Sequence, residues 1–452
     1  MNSLEGRIPK KELKEIFKNA KKVFFVGIGG ISMSSLAEYC VYLGKEVYGY
    51  DRERSDACIK LERVVKKIKY CSTPDSASHM DLVVYTTAVG MENFEIQCAV
   101  REGLPLVTRA ELLSVIMSDY SRRIGIAGMH GKSTVTSLIA HIYEYASLSP
   151  TVFCGAVMKE YLSPYKFGNT ENFIFEACEY KDAFLEFCPT DAIILNIDRD
   201  HPDYFTSDEQ IISSFTEYAK KAERVFINGD DTMSSHLDIR DAITFAVSSS
   251  AAYEARDIRH SEGAEFTVYK SGGPLIRCRL RQSGIHMVYN ALCAFAVCYE
   301  NGIHKNAIAE ALYTFEGSER RLEFYKKVRG GGSIFLDYAH HPTEISATLT
   351  ALSQMGFKNV LCVFQPHTYS RTYALYKEFT QCFTDTCRVI LTDIYPAREK
   401  NVYGISERTL AKDMGAEYIS SLEEIAGEIK SCQNDAIVIM GAGDVIKIKK
   451  FI

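Results

Sequence analysis

The chain has 452 residues, with 52 Lys and Arg against 58 Asp and Glu, and so a formal net charge of −6. Its 46% hydrophobic and 24% charged residues are typical of a soluble globular protein and exclude a disordered, collagen-like or disulfide-scaffold chain. The mild acidity gives no reason to expect nucleic-acid binding. The sequence has no apolar segment long enough to span a membrane, and the charged first 22 residues lack the apolar core of a signal peptide. The fourteen cysteines are scattered and form no CxxC motif. We therefore expect a cytoplasmic protein with reduced cysteines.

The predicted elements follow one another as three series of strands and helices. The first series has apolar strands at 23–28, 46–51 and 81–87, with a helix at 32–44. The second has strands at 123–128, 172–177, 191–198 and 224–229, helices at 133–146 and 208–222, antiparallel strands within 253–286, and helices at 288–300 and 306–315. The third follows the charged residues 316–321 and contains the strands SIFLDYA, NVLCVFQP, CRVILTDI and DAIVIMGAG.

This pattern predicts three consecutive open α/β domains. We expect a Rossmann-like domain over 1–119, a P-loop-type ATP-binding domain over 120–318 and a second Rossmann-like domain over 319–452. We identify no internal repeat and no low-complexity segment.

A glycine-rich loop joins the strand at 123–128 to the following helix. Its residues are Gly128, Met129, His130, Gly131, Lys132, Ser133 and Thr134. Glycines allow backbone N–H groups to converge on phosphate oxygens, and the helix N-terminus adds positive potential. The strict spacing GxxxxGK[ST] is not met, because residue 126 is Ile. We nevertheless predict an ATP site, with Lys132 at the β and γ phosphates and Ser133 on Mg²⁺.

A second glycine loop follows the first strand of the chain. It reads Gly27, Ile28, Gly29, Gly30, Ile31 and Ser32, and Asp51 ends the next strand, where a ribose-binding acid belongs. On these residues alone the loop predicts a nicotinamide or flavin dehydrogenase, and the alternative is a tight turn without a ligand.

Strand ends in the second series carry a candidate metal site. Glu176 ends one strand and His201 follows another, and together they could hold a divalent cation beside the phosphate loop. Glu179, Asp198 and Asp200 compete for these roles. From the spacing alone, a helix-capping acid and an ordinary histidine are the more frequent interpretation.

Two polar segments end neighbouring strands of the third series. The first runs from Asp337 through the adjacent histidines to Pro342, which we expect to begin a helix. The second runs from Gln365 to Arg371, which could clamp a carboxylate or a developing phosphate charge. Either segment alone is also compatible with solvated loop residues.

Together these residues resemble the Mur ligase family, and most closely its alanine-adding branch. The matching segments are 25–38, 108–113, 125–140, 176–185, 196–205, 286–291, 317–323, 337–344, 364–372 and 440–444, in family order. The resemblance implies an ATP-dependent amide ligase that adds L-alanine to UDP-N-acetylmuramate through an acyl phosphate, in peptidoglycan precursor synthesis. It also implies that the first glycine loop binds a uridine diphosphate.

The resemblance assigns roles to individual residues. The sugar nucleotide would contact Gly27, Gly29, Gly30, Ile31, Ser32, Met33 and Asp51. His286, Asn290, Arg321 and Asp337 match positions at the adenine and ribose of ATP, and Tyr338, His340, His341 and Arg371 match positions at the amino acid and nascent peptide. Ser133, Glu176 and His201 would bind the metal, and Lys132, His201, His340 and Arg371 would act in catalysis. We expect a monomer or weak homodimer without membrane insertion.

Several positions depart from the family pattern. Met129, Met287 and Thr368 replace the usual threonine, asparagine and arginine, Leu336 replaces an aspartate, and Cys178 and Tyr180 alter an acidic stretch. Two other interpretations therefore stay open: a relative that attaches a preformed murein tripeptide to the same sugar nucleotide, and a non-catalytic nucleotide-binding relative.

Overall fold

The computed structural model describes residues 8–261, 263–328, 331–383 and 387–452, so the first seven residues of the charged N-terminal segment lie outside it. Strands and helices alternate along the described chain, which confirms the predicted α/β class. The chain forms two compact units. One contains the residues up to Ile126 with Leu148–Ala192 and Glu217–Glu223, and the other contains Ala127–Ser147, Ile193–Thr216 and Arg224–Ile452. In the described part, no helix is both long and apolar enough to cross a membrane.

The elements have the following bounds. The strands are β1 (Lys22–Val26), β2 (Glu46–Tyr50), β3 (Lys67–Lys69), β4 (Leu82–Tyr85), β5 (Leu106–Thr108), β6 (Arg122–Ala127), β7 (Thr151–Met158), β8 (Ser163–Lys166), β9 (Asn172–Glu176), β10 (Asp191–Ile194), β11 (Arg224–Asn228), β12 (Ile243–Ala246), β13 (Tyr253–Ser261), β14 (Gly263–Lys270), β15 (Gly273–Leu280), β16 (Glu323–Lys327), β17 (Ser333–Asp337), β18 (Val360–Phe364), β19 (Cys387–Leu391), β20 (Glu417–Tyr418) and β21 (Ala436–Met440). The helices are α1 (Lys10–Asn19), α2 (Ile31–Tyr42), α3 (Asp56–Leu61), α4 (Phe94–Arg101), α5 (Arg109–Met117), α6 (Lys132–Tyr145), α7 (Asp208–Ala219), α8 (Ile285–Glu300), α9 (Lys305–Thr314), α10 (Pro342–Gln354), α11 (Tyr369–Ala374), α12 (Tyr376–Phe379), α13 (Glu407–Asp413) and α14 (Leu422–Ser431).

The first sheet is parallel and has the order β3-β2-β1-β4-β5. Its central strand β1 is buried after its first residue, because the sequence VFFV is apolar on both faces. The strand order changes direction at β1, and ligands of open α/β sheets bind at such switch points. The first glycine loop follows β1 and leads into α2.

The strands of the second sheet fall in both units. In the first unit, β6 and β7 pair with β9 in parallel and β8 forms an antiparallel edge. The sequence interpretation missed β7 and β8. In the second unit, β13, β14 and β15 are antiparallel, which confirms the prediction for 253–286.

The third sheet has the order β16-β17-β21-β18-β19-β20. Its inner strands are parallel, and apolar clusters on both faces pack against α10 and α14. All four predicted strands are present, and the antiparallel edge strand β16 was not predicted. Pro342 begins α10 as predicted, and His341 caps it.

Candidate active site

The phosphate loop is shaped by two glycines between β6 and α6. Gly128 has φ 136° and Gly131 has φ 83°, which is left-handed backbone that other residues rarely adopt. A Cβ at Gly128 would lie 3.2 Å from the backbone of Asn196, and one at Gly131 would lie 2.9 Å from Oδ1 of Asn290. Glycine is therefore required here both for the backbone angle and for close approach.

Asn196 fixes this loop with its side chain and its backbone. The backbone N–H of His130 donates to Asn196 Oδ1 at 2.8 Å, and Asn196 Nδ2 donates to the His130 carbonyl at 3.1 Å. The Met129 N–H donates to the Asn196 carbonyl at 3.3 Å. This role of Asn196 was not predicted, because Asn196 is distant in sequence from the loop and belongs to no phosphate-loop motif.

The side chain of Lys132, the first residue of α6, folds back onto the phosphate loop. Its Nζ donates to the carbonyl of Gly128 at 2.5 Å and to that of Met129 at 3.3 Å. The ammonium group thus lies beside the backbone that would surround a phosphate, at the N-terminus of α6. Its predicted contact with the phosphates of ATP stays a prediction.

The hydroxyl of Ser133 contacts Arg321, which lies just before β16 in the same unit. Arg321 Nη2 donates to Ser133 Oγ at 3.4 Å, and the guanidinium lies 5.3 Å from the centre of the Tyr338 ring. Arg321 also lies 3.9 Å from Oε1 of Glu344. Two residues predicted at the nucleotide, Ser133 and Arg321, are therefore adjacent, with Tyr338 next to them.

A buried ion pair holds Arg371. Its Nε lies 2.8 Å from Oδ1 of Asp200, and the two side chains are 8% and 7% exposed. Burial opposes ionisation of Asp200, but Arg371 and then His201 outweigh it and hold its pKa well below the usual range. Arg371 Nη1 also donates to Nδ1 of His367 at 3.1 Å, and burial lowers the pKa of His367 to about 3. The predicted anion clamp is therefore preoriented by an internal carboxylate.

A second polar cluster surrounds His130. Its Nε2 lies 3.3 Å from Asp198, and its Nδ1 lies 3.3 Å from Glu344. Burial opposes protonation, but these carboxylates outweigh it and raise the pKa of His130 to about 9. Nδ1 of His340 lies 3.2 Å from Glu344. Glu344 was not among the predicted site residues, although it belongs to the matched segment 337–344.

The residues predicted at adenine and ribose differ in their surroundings. Among the described residues, Nδ1 of His286 is buried without a hydrogen-bond partner, and burial lowers the pKa of His286 to about 4. Asp337, in contrast, accepts backbone N–H groups from Leu322 at 2.8 Å and Ala339 at 2.7 Å. Burial raises the pKa of Asp337. Its contacts support the chain around β17, and its predicted contact with ATP stays a prediction.

The first glycine loop has its own internal contact. The Gly29 N–H donates to Asp51 Oδ2 at 2.8 Å, so the predicted ribose-binding acid touches the predicted loop. A Cβ at Gly27 would lie 2.7 Å from Cγ2 of Thr86. Met33, in contrast, is only 2% exposed. Its predicted contact with the sugar nucleotide stays a prediction.

Glu176 ends β9 in the first unit. Its Oε1 accepts hydrogen bonds from the backbone of Gly155 at 2.5 Å and from Cys154 Sγ at 3.3 Å. His201 lies in the second unit, with φ 54° and its Nε2 3.8 Å from Asp200. The shared role of Ser133, Glu176 and His201 as metal ligands stays a prediction.

Comparisons with known proteins identify the family. The chain matches the Mur ligase family catalytic domain over 22–121, the Mur ligase middle domain over 126–298 and the Mur ligase glutamate ligase domain over 320–443. It belongs to the Mur ligase family. This membership confirms the resemblance stated above and excludes the dehydrogenase interpretation of the first loop.

Individual relatives cover nearly the whole chain. The UDP-N-acetylmuramate–L-alanine ligase of Alkaliphilus metalliredigens is 39% identical, covering 96% of this chain and 97% of its own. That of Caldicellulosiruptor bescii is 40% identical, covering 94% and 97%. The solved UDP-N-acetylmuramate–alanine ligase of Thermotoga maritima is 27% identical, with a TM-score of 0.81 over 95% of this chain and 97% of that one. A murein peptide ligase of Psychrobacter arcticus, 22% identical with a TM-score of 0.72, covers 95% and 97% and shares the fold.

Proposed function

We propose that this Mur ligase is an ATP-dependent enzyme that joins L-alanine to UDP-N-acetylmuramate in peptidoglycan precursor synthesis. The observation that carries the proposal is the phosphate loop, in which Lys132 and Ser133 begin α6 behind two left-handed glycines. The relatives that cover nearly the whole chain are named for this reaction. Because the reaction consumes ATP, we place it in the cytoplasm.

The reaction joins two anions before it forms the amide. The lactyl carboxylate of the sugar nucleotide attacks the γ-phosphorus of ATP, ADP leaves, and the amine of alanine then attacks the acyl phosphate and releases phosphate. Lys132 would neutralise the charge of the transferring phosphoryl group, and the loop's N–H groups would bind the phosphate oxygens. Arg371, already positioned by Asp200, would hold a carboxylate.

A magnesium ion fits the chemistry of the predicted ligands. The Ser133 hydroxyl is a hard oxygen donor in the first turn after the loop, the position of the magnesium-binding hydroxyl in phosphate-loop proteins. Mg²⁺ bound there would spread the charge of the β and γ phosphates. We keep Glu176 and His201 as proposed further ligands.

We also propose that the three domains divide the substrates. Residues 1–119 would bind the sugar nucleotide, and the hydrogen bond from the first glycine loop to Asp51 supports this assignment. Residues 120–318 would bind ATP and 319–452 the amino acid. A monomer or weak homodimer stays our prediction for the assembly.

Phosphate release tests the function directly. Purified protein with ATP, Mg²⁺ and UDP-N-acetylmuramate is given L-alanine, a murein tripeptide or no acceptor. We expect release that depends on L-alanine and a new sugar-nucleotide product heavier by one alanyl residue. Preference for the tripeptide would assign the chain to the peptide-adding branch, and no acceptor-dependent release would favour a non-catalytic relative.

A further inference from the structure

Three metal-ligating groups of the second unit converge beside the phosphate loop. They are the side chains of His130, Asp198 and His341, and one ligand atom from each lies within 4.8 Å of the other two. Nε2 of His130 is 3.3 Å and Nδ1 of His341 is 3.8 Å from Oδ2 of Asp198. The two imidazole rings lie 4.7 Å apart. Asp198 is one of the acids that compete for the predicted metal roles, whereas His130 and His341 are not among the predicted magnesium ligands.

The far nitrogen of each imidazole already has an acceptor. Nδ1 of His130 lies 3.3 Å from the Glu344 carboxylate, and Nε2 of His341 lies 3.1 Å from the carbonyl of Arg199. Because a carbonyl only accepts, His341 carries its proton on Nε2 and presents a lone pair on Nδ1 toward Asp198. Metal-binding histidines are oriented in this manner, with the second nitrogen donating to a carboxylate or a carbonyl.

The spacing is close to that of a tetrahedral site. Zinc bonds of about 2.0–2.1 Å place neighbouring ligand atoms about 3.4 Å apart. The His130–Asp198 pair already has 3.3 Å, and the His341–Asp198 pair would have to shorten from 3.8 Å. Asp198 Oδ2 also accepts from the Thr343 hydroxyl at 2.7 Å, which orients the carboxylate. A cation would replace the 3.3 Å contact from the Thr343 N–H to His341 Nδ1.

We propose that His130, Asp198 and His341 form a site for a divalent transition-metal ion of the zinc class. Two imidazoles and one carboxylate select zinc, cobalt or nickel over magnesium, which prefers oxygen ligands. The metal takes the place of the proton on His130 Nε2, so binding releases a proton. The bound metal links His130 in the phosphate loop to His341, which caps α10. The inference is independent of the proposed reaction.

Metal titration without nucleotide tests the site. EDTA-treated full-length protein is titrated with Co²⁺, recorded by visible absorption, and with Zn²⁺ against a chromophoric chelator. We expect one equivalent to bind with the absorption of a four- or five-coordinate Co²⁺ ion. His341→Gln and Asp198→Asn should each abolish that spectrum. Glu344→Gln, which removes the carboxylate that His130 shares with His340 and leaves the three proposed ligands in place, should weaken Zn²⁺ binding by about 10- to 100-fold.

Two control variants distinguish this site from metal binding elsewhere on the chain. His201→Gln alters a predicted magnesium ligand, and His236→Gln alters an exposed histidine in another part of the second unit. Both should keep the wild-type Co²⁺ spectrum and Zn²⁺ affinity. Circular dichroism shows whether each variant is folded. If one of the two ligand variants does not fold, the remaining ligand variant and Glu344→Gln test the proposal. The proposal is overturned if the wild type does not bind metal stoichiometrically or if His201→Gln loses the Co²⁺ spectrum. It is also overturned if the folded ligand variants keep the wild-type affinity for Zn²⁺.

Discussion

Removing one partner of the buried ion pair between Asp200 and Arg371 should destabilise the fold strongly. At 2.8 Å, an effective dielectric constant of about 20 gives a Coulomb attraction of about 6 kcal/mol, which the cost of burying both charges partly offsets. Asp200→Asn removes the charge and leaves the Arg371 guanidinium buried without its counterion. We therefore expect the free energy of unfolding to fall by about 3–5 kcal/mol.

Urea denaturation followed by fluorescence and circular dichroism measures this loss. The matched control is Asp208→Asn, because the Arg199–Asp208 pair has a similar length of 2.7 Å but side chains that are 73% and 37% exposed. Solvent-exposed pairs contribute less than about 1 kcal/mol, so the control should shift the midpoint little. Equal shifts in the two variants, or a loss below about 1 kcal/mol for Asp200→Asn, would refute the argument from burial.

The same pair predicts the sign of a pH effect. Because Arg371 holds the folded-state pKa of Asp200 below its unfolded value of about 3.9, the stabilisation is complete above that value and is lost as the pH falls through the folded-state pKa. The difference in unfolding free energy between wild type and Asp200→Asn should therefore be constant from pH 7 to about pH 5 and narrow below about pH 4. A difference that grows on acidification would contradict this assignment.

Three further substitutions test the loops. Lys132→Ala should abolish turnover, while calorimetry should still detect sugar-nucleotide binding. A rate within about tenfold of the wild-type rate, which corresponds to a loss below about 1.4 kcal/mol in the activation barrier, would exclude the role assigned to Lys132. Asp51→Ala should weaken sugar-nucleotide binding more than ATP binding, and calorimetry with the reverse order would contradict the domain assignment. Gly131→Ala should raise the KM for ATP and destabilise the fold more than Gly302→Ala. Both glycines have φ near 84°, but only at Gly131 would the new Cβ meet Asn290, and equal losses would exclude that contact.

Local sequence was enough to predict the phosphate loop. The run from Gly128 to Thr134 combines glycines, a lysine and a hydroxyl at a strand–helix junction, and each feature acts through neighbouring backbone. The start of α10 was predictable for the same reason, because Pro342 fits the first helical position. The contact between Gly29 and Asp51 joins two parts of one βαβ unit, so the motif placed it correctly.

Contacts set by strand order could not be predicted in this way. Asn196 reaches His130 across 66 residues, and Glu344 reaches the same histidine from the first turn of α10. Edge strands were missed for a related reason. β8 is the short, partly exposed segment SPYK, which lacks the apolar run of an inner strand and gains its hydrogen bonds from β7.

The departures from the family pattern can be understood from these contacts. Met129 is 6% exposed, and the loop uses its backbone, which donates to Asn196 and accepts from Lys132. Met287 is 8% exposed, and its sulfur lies 4.0 Å from the amide nitrogen of Asn290. Each methionine replaces a polar residue of the family pattern with a buried thioether, and at Met129 the loop contacts use backbone groups, which any residue supplies. Because the loop is held through the backbone of Met129 and Lys132 is intact, the methionine at position 129 gives no reason to expect a non-catalytic relative.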